Sequence, residues 1–174
     1  NLTVPVHCQP SPLARAGFVF ICPGRFEAAR GYPCAAGTGA NLERALAQLH
    51  AAAPELFPSP SRATYVITNS WDRVEYQALT GRSVPTEREV LSPANLQRLR
   101  AEIAQLQVVV ACGAQAHAAV RALLERGSLT ARAAYARHLS QRSVNMIGAA
   151  GDTPGRIRAW CDGVLTQLRG APTA

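Results

Sequence analysis

The sequence predicts an α/β fold: a single three-layer α/β/α domain with a central, mainly parallel four-stranded sheet. Three observations carry this expectation. Four short apolar runs, at 17–22, 64–68, 108–111 and about 133–137, alternate with segments whose apolar residues recur at helical spacing. A strand that returns through a helical crossover lies parallel to the one before it. The strand runs also lack polar–apolar alternation, as expected where helices cover both faces of a sheet. With 174 residues and 48% hydrophobic content, the chain can bury one core. No repeat or low-complexity stretch divides it, so 1–174 reads as one domain.

Residues 1–16, with Pro5, Pro10 and Pro12, read as an extended N-terminal arm. Strand 17–22 runs into a glycine-rich loop that extends to about 39. Leu42, Ala45, Leu46 and Leu49 put one apolar face on a helix over 40–52. Pro54, Pro58 and Pro60 break the chain before strand 64–68. Segment 70–91, with Gly81 and Pro85, reads as irregular. Ser92 and Pro93 open a helix to about Leu106, serine as N-cap and proline at the first helical position. Strand 108–111 turns at Gly113 into helix 114–126, which Gly127 closes. Strand 133–137 precedes a loop at 138–151. Asp152-Thr153-Pro154 caps a last helix to about Leu168, and 171–174 form a loose tail.

All 18 basic residues are arginine, set against 11 acidic ones, for a net charge of +7. A basic domain of this size points to a nucleic-acid partner. The five cysteines, Cys8, Cys22, Cys34, Cys112 and Cys161, form no C-x2-C pair. With an odd count and an intracellular character, no disulfides are expected. No apolar run approaches the about 18 residues of a membrane span, and the N-terminus has no signal-like pattern. The expected location is the cytoplasm of a prokaryote, at the nucleoid, and the expected state is a monomer.

The chemistry-bearing run is Cys22 to Leu42, C-P-G-R-F-E-A-A-R-G-Y-P-C-A-A-G-T-G-A-N-L. In open α/β sheets, ligands sit outside the carboxyl ends of the strands, where Pro23 and Gly24 turn the chain sharply. An ordinary glycine-rich loop with no ligand is the plainer alternative. A phosphate-loop reading fails, because the lysine and following Ser/Thr of that motif are missing.

The spacing P-G-x2-E-x3-G-x-P-x5-G-x2-L resembles the first motif of the uracil-DNA glycosylase superfamily, closest to the bacterial and archaeal branches that share P-G-x2-E. Three more segments fit. Val66-Ile67-Thr68-Asn69 ends a strand with an asparagine that in relatives reads the pyrimidine edge. Its amide has both a donor and an acceptor, which match uracil or, after a flip, a cytosine-type base. Capping of the next turn is the alternative. Val108 to Ala116 resembles the scaffold strand and G-x-Q-A turn, which leaves Cys112 and His117 structural. Arg137 to Asn145 resembles the last motif, H-P-S-P in relatives, with His138 and Ser140 kept and both prolines replaced, by Leu139 and Gln141.

The resemblance implies an enzyme that extrudes a base from DNA and hydrolyses its N-glycosidic bond. His138 would stabilise the developing negative charge on the leaving base. Asn69 would contact that base, and Glu27 or Asp72 would activate water, unless backbone carbonyls hold the water and Glu27 simply ties the loop. Ile21, Cys22, Pro23, Gly24, Tyr32, Cys34 and Asp72 would line the pocket. Ser140 would hold a phosphate through its hydroxyl or backbone N–H, with Gln141, Arg142, Asn145, Arg25, Arg30 and Arg137 also at the DNA. Leu139, Gln141 or Arg142 would fill the gap left by the flipped nucleotide. The partner is DNA, as a duplex with a flipped base or as a single strand.

Two departures shape the expected substrate. Cys34 stands where relatives carry a base-stacking phenylalanine, so Tyr32 or Phe26 supplies the ring or the pocket is enlarged. Ile21 stands where many relatives position water with an acidic or amide side chain. Some relatives bind an iron–sulfur cluster on four cysteines; here Cys8 stands alone and 70–111 holds none, so neither cluster nor metal nor other cofactor is expected. With no lysine, only the N-terminal amine could supply the nucleophile of a Schiff base, so the expected activity is monofunctional. The favoured substrate is a bulky modified pyrimidine, such as hydroxymethylated or glucosylated cytosine of phage DNA, excised in antiviral defence. The alternatives are excision of uracil or a deaminated base in repair, a non-catalytic reader of modified DNA, and an unrelated nucleotide-binding α/β protein.

Overall fold

The computed structural model describes residues 5–148 and 151–170. Four strands, β1 (Ala16–Phe20), β2 (Val66–Asn69), β3 (Val108–Cys112) and β4 (Arg132–Ala136), form one all-parallel sheet in the order β2-β1-β3-β4. The helices are α1 (Arg25–Arg30), α2 (Ala36–Ala52), α3 (Gln77–Thr80), α4 (Glu87–Val90), α5 (Pro93–Ile103), α6 (Ala114–Glu125), α7 (Gln141–Asn145) and α8 (Thr153–Gly170). The fold is the α/β architecture that the alternation of apolar strands and periodic helices predicts.

Central strand β1 shows why there are three layers. Phe18 and Phe20 point to one face, into a cluster with Leu42, Leu46 and Leu49 of α2 and Trp160, Val164 and Leu168 of α8. Val19 points to the other, with Leu96 and Leu99 of α5 and Val120 and Leu123 of α6. Each fully buried side chain of this kind contributes about 1.5–3 kcal/mol, so both faces need a helical cover. Gly17 is required by packing: a Cβ there would lie 2.6 Å from Leu106 Cδ1 and 2.8 Å from the Val66 carbonyl.

Each outer edge of the sheet has one residue whose backbone groups are occupied, Ile67 on β2 and Tyr135 on β4. Gln9 of the arm bridges antiparallel to Ile67 of β2, with N–H···O distances of 2.7 and 3.1 Å. On β4, the Gln167 side chain accepts from Tyr135 N–H at 2.8 Å and donates to the Tyr135 carbonyl at 2.9 Å.

The differences from expectation fall in the loops. The glycine-rich loop contains α1, and α2 begins at Ala36 rather than 40. Helix α1 buries none of its residues, so it leaves no apolar periodicity to read. Segment 70–91 holds α3 and α4, the latter opened by a reciprocal Thr86–Glu89 capping box. The loop expected at 138–151 holds α7, capped by Ser140. The arm is not simply extended over its described part: residues 6–7 turn before the Gln9 bridge. The tail expected at 171–174 lies outside the described residues. Among the described residues, no helix is long and apolar enough to cross a membrane.

Candidate functional site

A cavity of about 610 Å³ opens at the carboxyl end of the sheet, where Phe20, Asn69 and His138 meet. One wall is the loop of Ile21, Cys22, Gly24, Phe26, Glu27 and Cys34, continuing into the start of α2. The opposite wall is His138, Ser140, Gln141 and Arg142, and Ser83 with Val84 closes a third side.

The loop wall is tied by charged side chains that grip backbone. Glu27 accepts from Gly24 N–H through Oε2 at 2.9 Å and from Ala35 N–H through Oε1 at 3.0 Å. Both of its oxygens thus serve loop-tying, the second of the two roles its position suggests. Arg62 donates to the Cys34 carbonyl at 2.8 Å and to the Pro33 carbonyl at 2.6 Å. Gly39 admits this approach, because a Cβ there would collide with the Cys34 carbonyl oxygen. Cys34 and Ala36 take φ of 54° and 51°, a left-handed conformation that costs about 1–2 kcal/mol per non-glycine residue.

That loop delivers α2 with no side-chain cap at Ala35. Ala36, Gly37 and Thr38 line the cavity, so the first N–H groups of a 17-residue helix have no capping side chain where they border it. The helix dipole favours negative charge at that end.

The His138 wall is held by uncharged groups. His138 Nδ1 accepts from Ser140 N–H at 3.0 Å, which assigns the hydrogen of the neutral ring to Nε2. Phe20 packs edge-on at 5.5 Å. Burial pushes the imidazole down to about 4, against the opposing pull of Glu27, so the ring is neutral at pH 7. Fully buried Asn41 of α2 pins the following turn through Nδ2, donating to the Leu139 carbonyl at 2.9 Å and to Gln141 Oε1 at 3.3 Å. Its Oδ1 accepts from Arg44 at 2.8 Å.

Asn69 ends β2 at 2% exposure and lines the cavity. Its Nδ2 donates to the His7 carbonyl at 2.9 Å, which fixes the amide orientation. His7 in turn pairs with Glu102 at 2.9 Å, and Arg98 joins Glu102 at 2.7 Å to the Asn69 carbonyl at 3.1 Å. The amide cannot turn over without losing the His7 bond, which removes the free flip assumed for a cytosine-type base.

The structure therefore brings together Ile21, Cys22, Gly24, Glu27, Cys34, Asn69, His138, Ser140, Gln141 and Arg142. It does not bring in the others. Asp72 lines a separate pocket with Trp71, Arg73 and Arg98. Tyr32 stands outside at 41% exposure, 5.5 Å under the Arg62 guanidinium, so of Tyr32 and Phe26 only Phe26 reaches the cavity. Pro23 is buried behind the wall, its carbonyl accepting from Glu75 N–H at 2.9 Å. Arg25 stacks on Phe26 at 4.6 Å, and Asn145 accepts from Gln141 at 2.7 Å; neither lines the cavity.

Two roles expected in the last motif are corrected by packing. The Ser140 N–H is committed to His138, so it does not receive a phosphate; the hydroxyl oxygen accepts from Ser143 N–H at 3.3 Å, which leaves its O–H able to donate. Leu139 is fully buried and cannot insert into DNA. The thiols are poor nucleophiles: burial pushes Cys22 up to about 12 and raises Cys34 as well.

Residues not singled out from sequence shape the site too. Asn41 was detectable, since it sits four before Ala45 on the apolar face of its helix. Arg62 gave no signal. Arg82 bridges Glu75 at 2.6 Å and Glu89 at 2.7 Å, and so sets the Ser83–Val84 wall. Hydrogen bonding from Arg82 holds the Glu75 carboxyl well below its usual range, at about 2.

Among the described residues, no cluster of three or more His, Cys, Asp or Glu side chains forms a metal-binding group. No protein-family model matches the chain, and no curated protein matches it. The resemblance to the uracil-DNA glycosylase superfamily rests on the motif residues themselves.

Proposed function

We propose that the protein is a monofunctional DNA glycosylase that takes an extruded pyrimidine into this cavity and hydrolyses its N-glycosidic bond. The observation that carries the reading is His138, neutral and with its hydrogen on Nε2, bordering the same cavity as Asn69 and the uncapped start of α2. In the reaction, the C1′–N1 bond breaks and its electron pair leaves with the base. A water oxygen bonds to C1′, and the water's proton ends on the base. Negative charge on the departing base is met by the His138 N–H and by the α2 N-terminus, donors in place before reaction. A neutral imidazole serves as that donor without giving up a proton. Without lysine, the abasic strand is left uncut.

The favoured substrate is a pyrimidine with a bulky substituent, such as (glucosyl)hydroxymethylcytosine in phage DNA, and the task is antiviral defence. Buried Cys34 contributes little bulk, and the cavity of about 610 Å³ leaves room beyond a pyrimidine ring. Uracil or another deaminated base, in repair, is the competing substrate, and the fixed Asn69 amide favours it. A second reading, a reader that binds without cutting, is favoured by one observation. Both Glu27 oxygens are bound to backbone and Ile21 is apolar, so neither offers water an unengaged carboxylate oxygen.

Alkali-revealed strand scission separates these readings. The DNA panel would carry uracil, hypoxanthine, hydroxymethylcytosine, glucosylated hydroxymethylcytosine or unmodified cytosine. Scission only at a modified or deaminated base supports the glycosylase. Binding without scission anywhere leaves the reader, and scission without alkali overturns monofunctionality.

A further inference from the structure

We infer that the N-terminal arm belongs to the base-reading apparatus: His7, anchored by Glu102, is a positioning residue that holds the Asn69 amide in one orientation and so sets which base edge the cavity accepts. The inference rests on the reading that the cavity takes an extruded base, and it assigns the selectivity of that site to residues outside its wall. Asn69 lines the cavity from the end of β2. Its Nδ2 donates to the His7 carbonyl at 2.9 Å. Among the described residues no donor reaches its Oδ1, and that oxygen is not sealed into the core, so it stays open to a base.

The His7 carbonyl is itself held in place from outside the cavity. His7 Nε2 lies 2.9 Å from Glu102 Oε2, a bond the ring donates because a carboxylate only accepts. The other Glu102 oxygen accepts from Thr68 Oγ1 at 2.6 Å and from Arg98 Nη1 at 2.7 Å. One carboxylate thus ties the arm to α5 and to the residue before Asn69. Arg98 closes the ring by donating to the Asn69 carbonyl at 3.1 Å. The bridge of Gln9 to Ile67 fixes the register of the arm beside β2. The His7 and Glu102 side chains are only 15% and 16% exposed, so water competes little for their bond. An amide held this way presents its acceptor at one fixed place. A pyrimidine seated in one way offers its donor at N3 when it is a keto base and at N4 when it is an amino base. The fixed acceptor pairs with one and is left unpaired against the other. Released from the His7 carbonyl, the amide could turn and serve both.

The test is the affinity of the full chain for oligonucleotides whose only pyrimidine is 2′-fluoro-2′-deoxyuridine or 2′-fluoro-2′-deoxycytidine. These carry the keto and the amino edge on one sugar, and the fluorine suppresses glycosidic cleavage, so no excision is required. The wild type is expected to separate the two by at least about tenfold. His7→Ala keeps the backbone carbonyl but releases it from Glu102; it is expected to bring the ratio under about threefold and to keep the melting temperature. Glu102→Ala cuts the same tie from α5 and is expected to act alike. His7→Gln, whose amide N–H can reach Glu102, is expected to restore the ratio. An arm with a structural role alone would weaken both affinities together and leave the ratio unmoved. Equal affinities in the wild type, or a ratio that survives both alanine variants, overturns the inference. A ratio that collapses in His7→Ala, without scission on the base panel, upholds it while the glycosylase reading fails. Scission on the panel with a ratio indifferent to His7 leaves that reading standing and removes the inference.

Discussion

The two walls of the cavity are held by different chemistry. The loop wall depends on ionic side chains that grip backbone: Glu27 on Gly24 and Ala35, Arg62 on Pro33 and Cys34. The facing wall depends on neutral groups: the Asn41 amide, the Ser140 cap and the buried Leu139 side chain, with an uncharged His138 at its edge. A charged carboxylate binding two N–H groups can hold a strained loop in the open, since bonds to ions contribute about 1.5–3 kcal/mol. A reacting N–H donor needs the reverse, a neutral and partly desolvated setting in which its dipole is not screened. The strain sits on the charged side, at Cys34 and Ala36, and the group proposed to react, His138, on the neutral side.

Four changes would break or sharpen this contrast. His138→Ala should have the largest effect, lowering single-turnover excision by roughly 100- to 1,000-fold with DNA affinity kept; a loss under threefold would remove the ring from the reaction. Asn41→Ala removes a fully buried donor and leaves the Leu139 carbonyl without it. Urea unfolding should show a loss of about 1–3 kcal/mol, and an unchanged midpoint would mean that Asn41 does not hold this wall.

The pH dependence tests the neutral side. The folded-state value of His138 lies at about 4, below the ordinary 6.5. Between those values the unfolded chain binds the proton more readily, so the His138 contribution to stability is full above about pH 6.5 and falls as pH drops toward 4. Glu75, held at about 2 against an ordinary 4.5, adds a further loss below about pH 4.5. Thermal melts of the wild type should therefore be flat from pH 6.5 to about 8, below the range where the buried thiols titrate, and His138→Gln should remove the decline between 6.5 and 4.5. The same decline in that variant would assign it elsewhere. The smallest effect belongs to Ala36→Gly. Relief of the left-handed strain should outweigh the helix cost of glycine and raise stability by under about 1 kcal/mol; a loss above that size would mean the strain is absent.

The strands and long helices were legible because apolar periodicity and caps are local signals. Leu42, Ala45, Leu46 and Leu49 announced α2, and Ser92-Pro93 announced α5. The cavity residues at strand ends, Asn69 and His138, were legible for the same reason: their place follows from where the strands stop. The short helices were not. Helix α1 has no buried face, and α7 is five residues long and held by a cap. Roles set by three-dimensional partners were also hidden. Nothing in the sequence says that His7 fixes the Asn69 amide from 62 positions away, that Arg62 grips the loop at Cys34, or that Leu139 turns inward while Asp72 faces another pocket.

The most direct test of the account is single-turnover base release as a function of pH, from 4 to 9, on DNA carrying the excised base. A neutral His138 predicts a rate that holds at pH 5.5 and falls only as pH nears 4. An acid limb centred near 6.5, or no release at any pH, would contradict it.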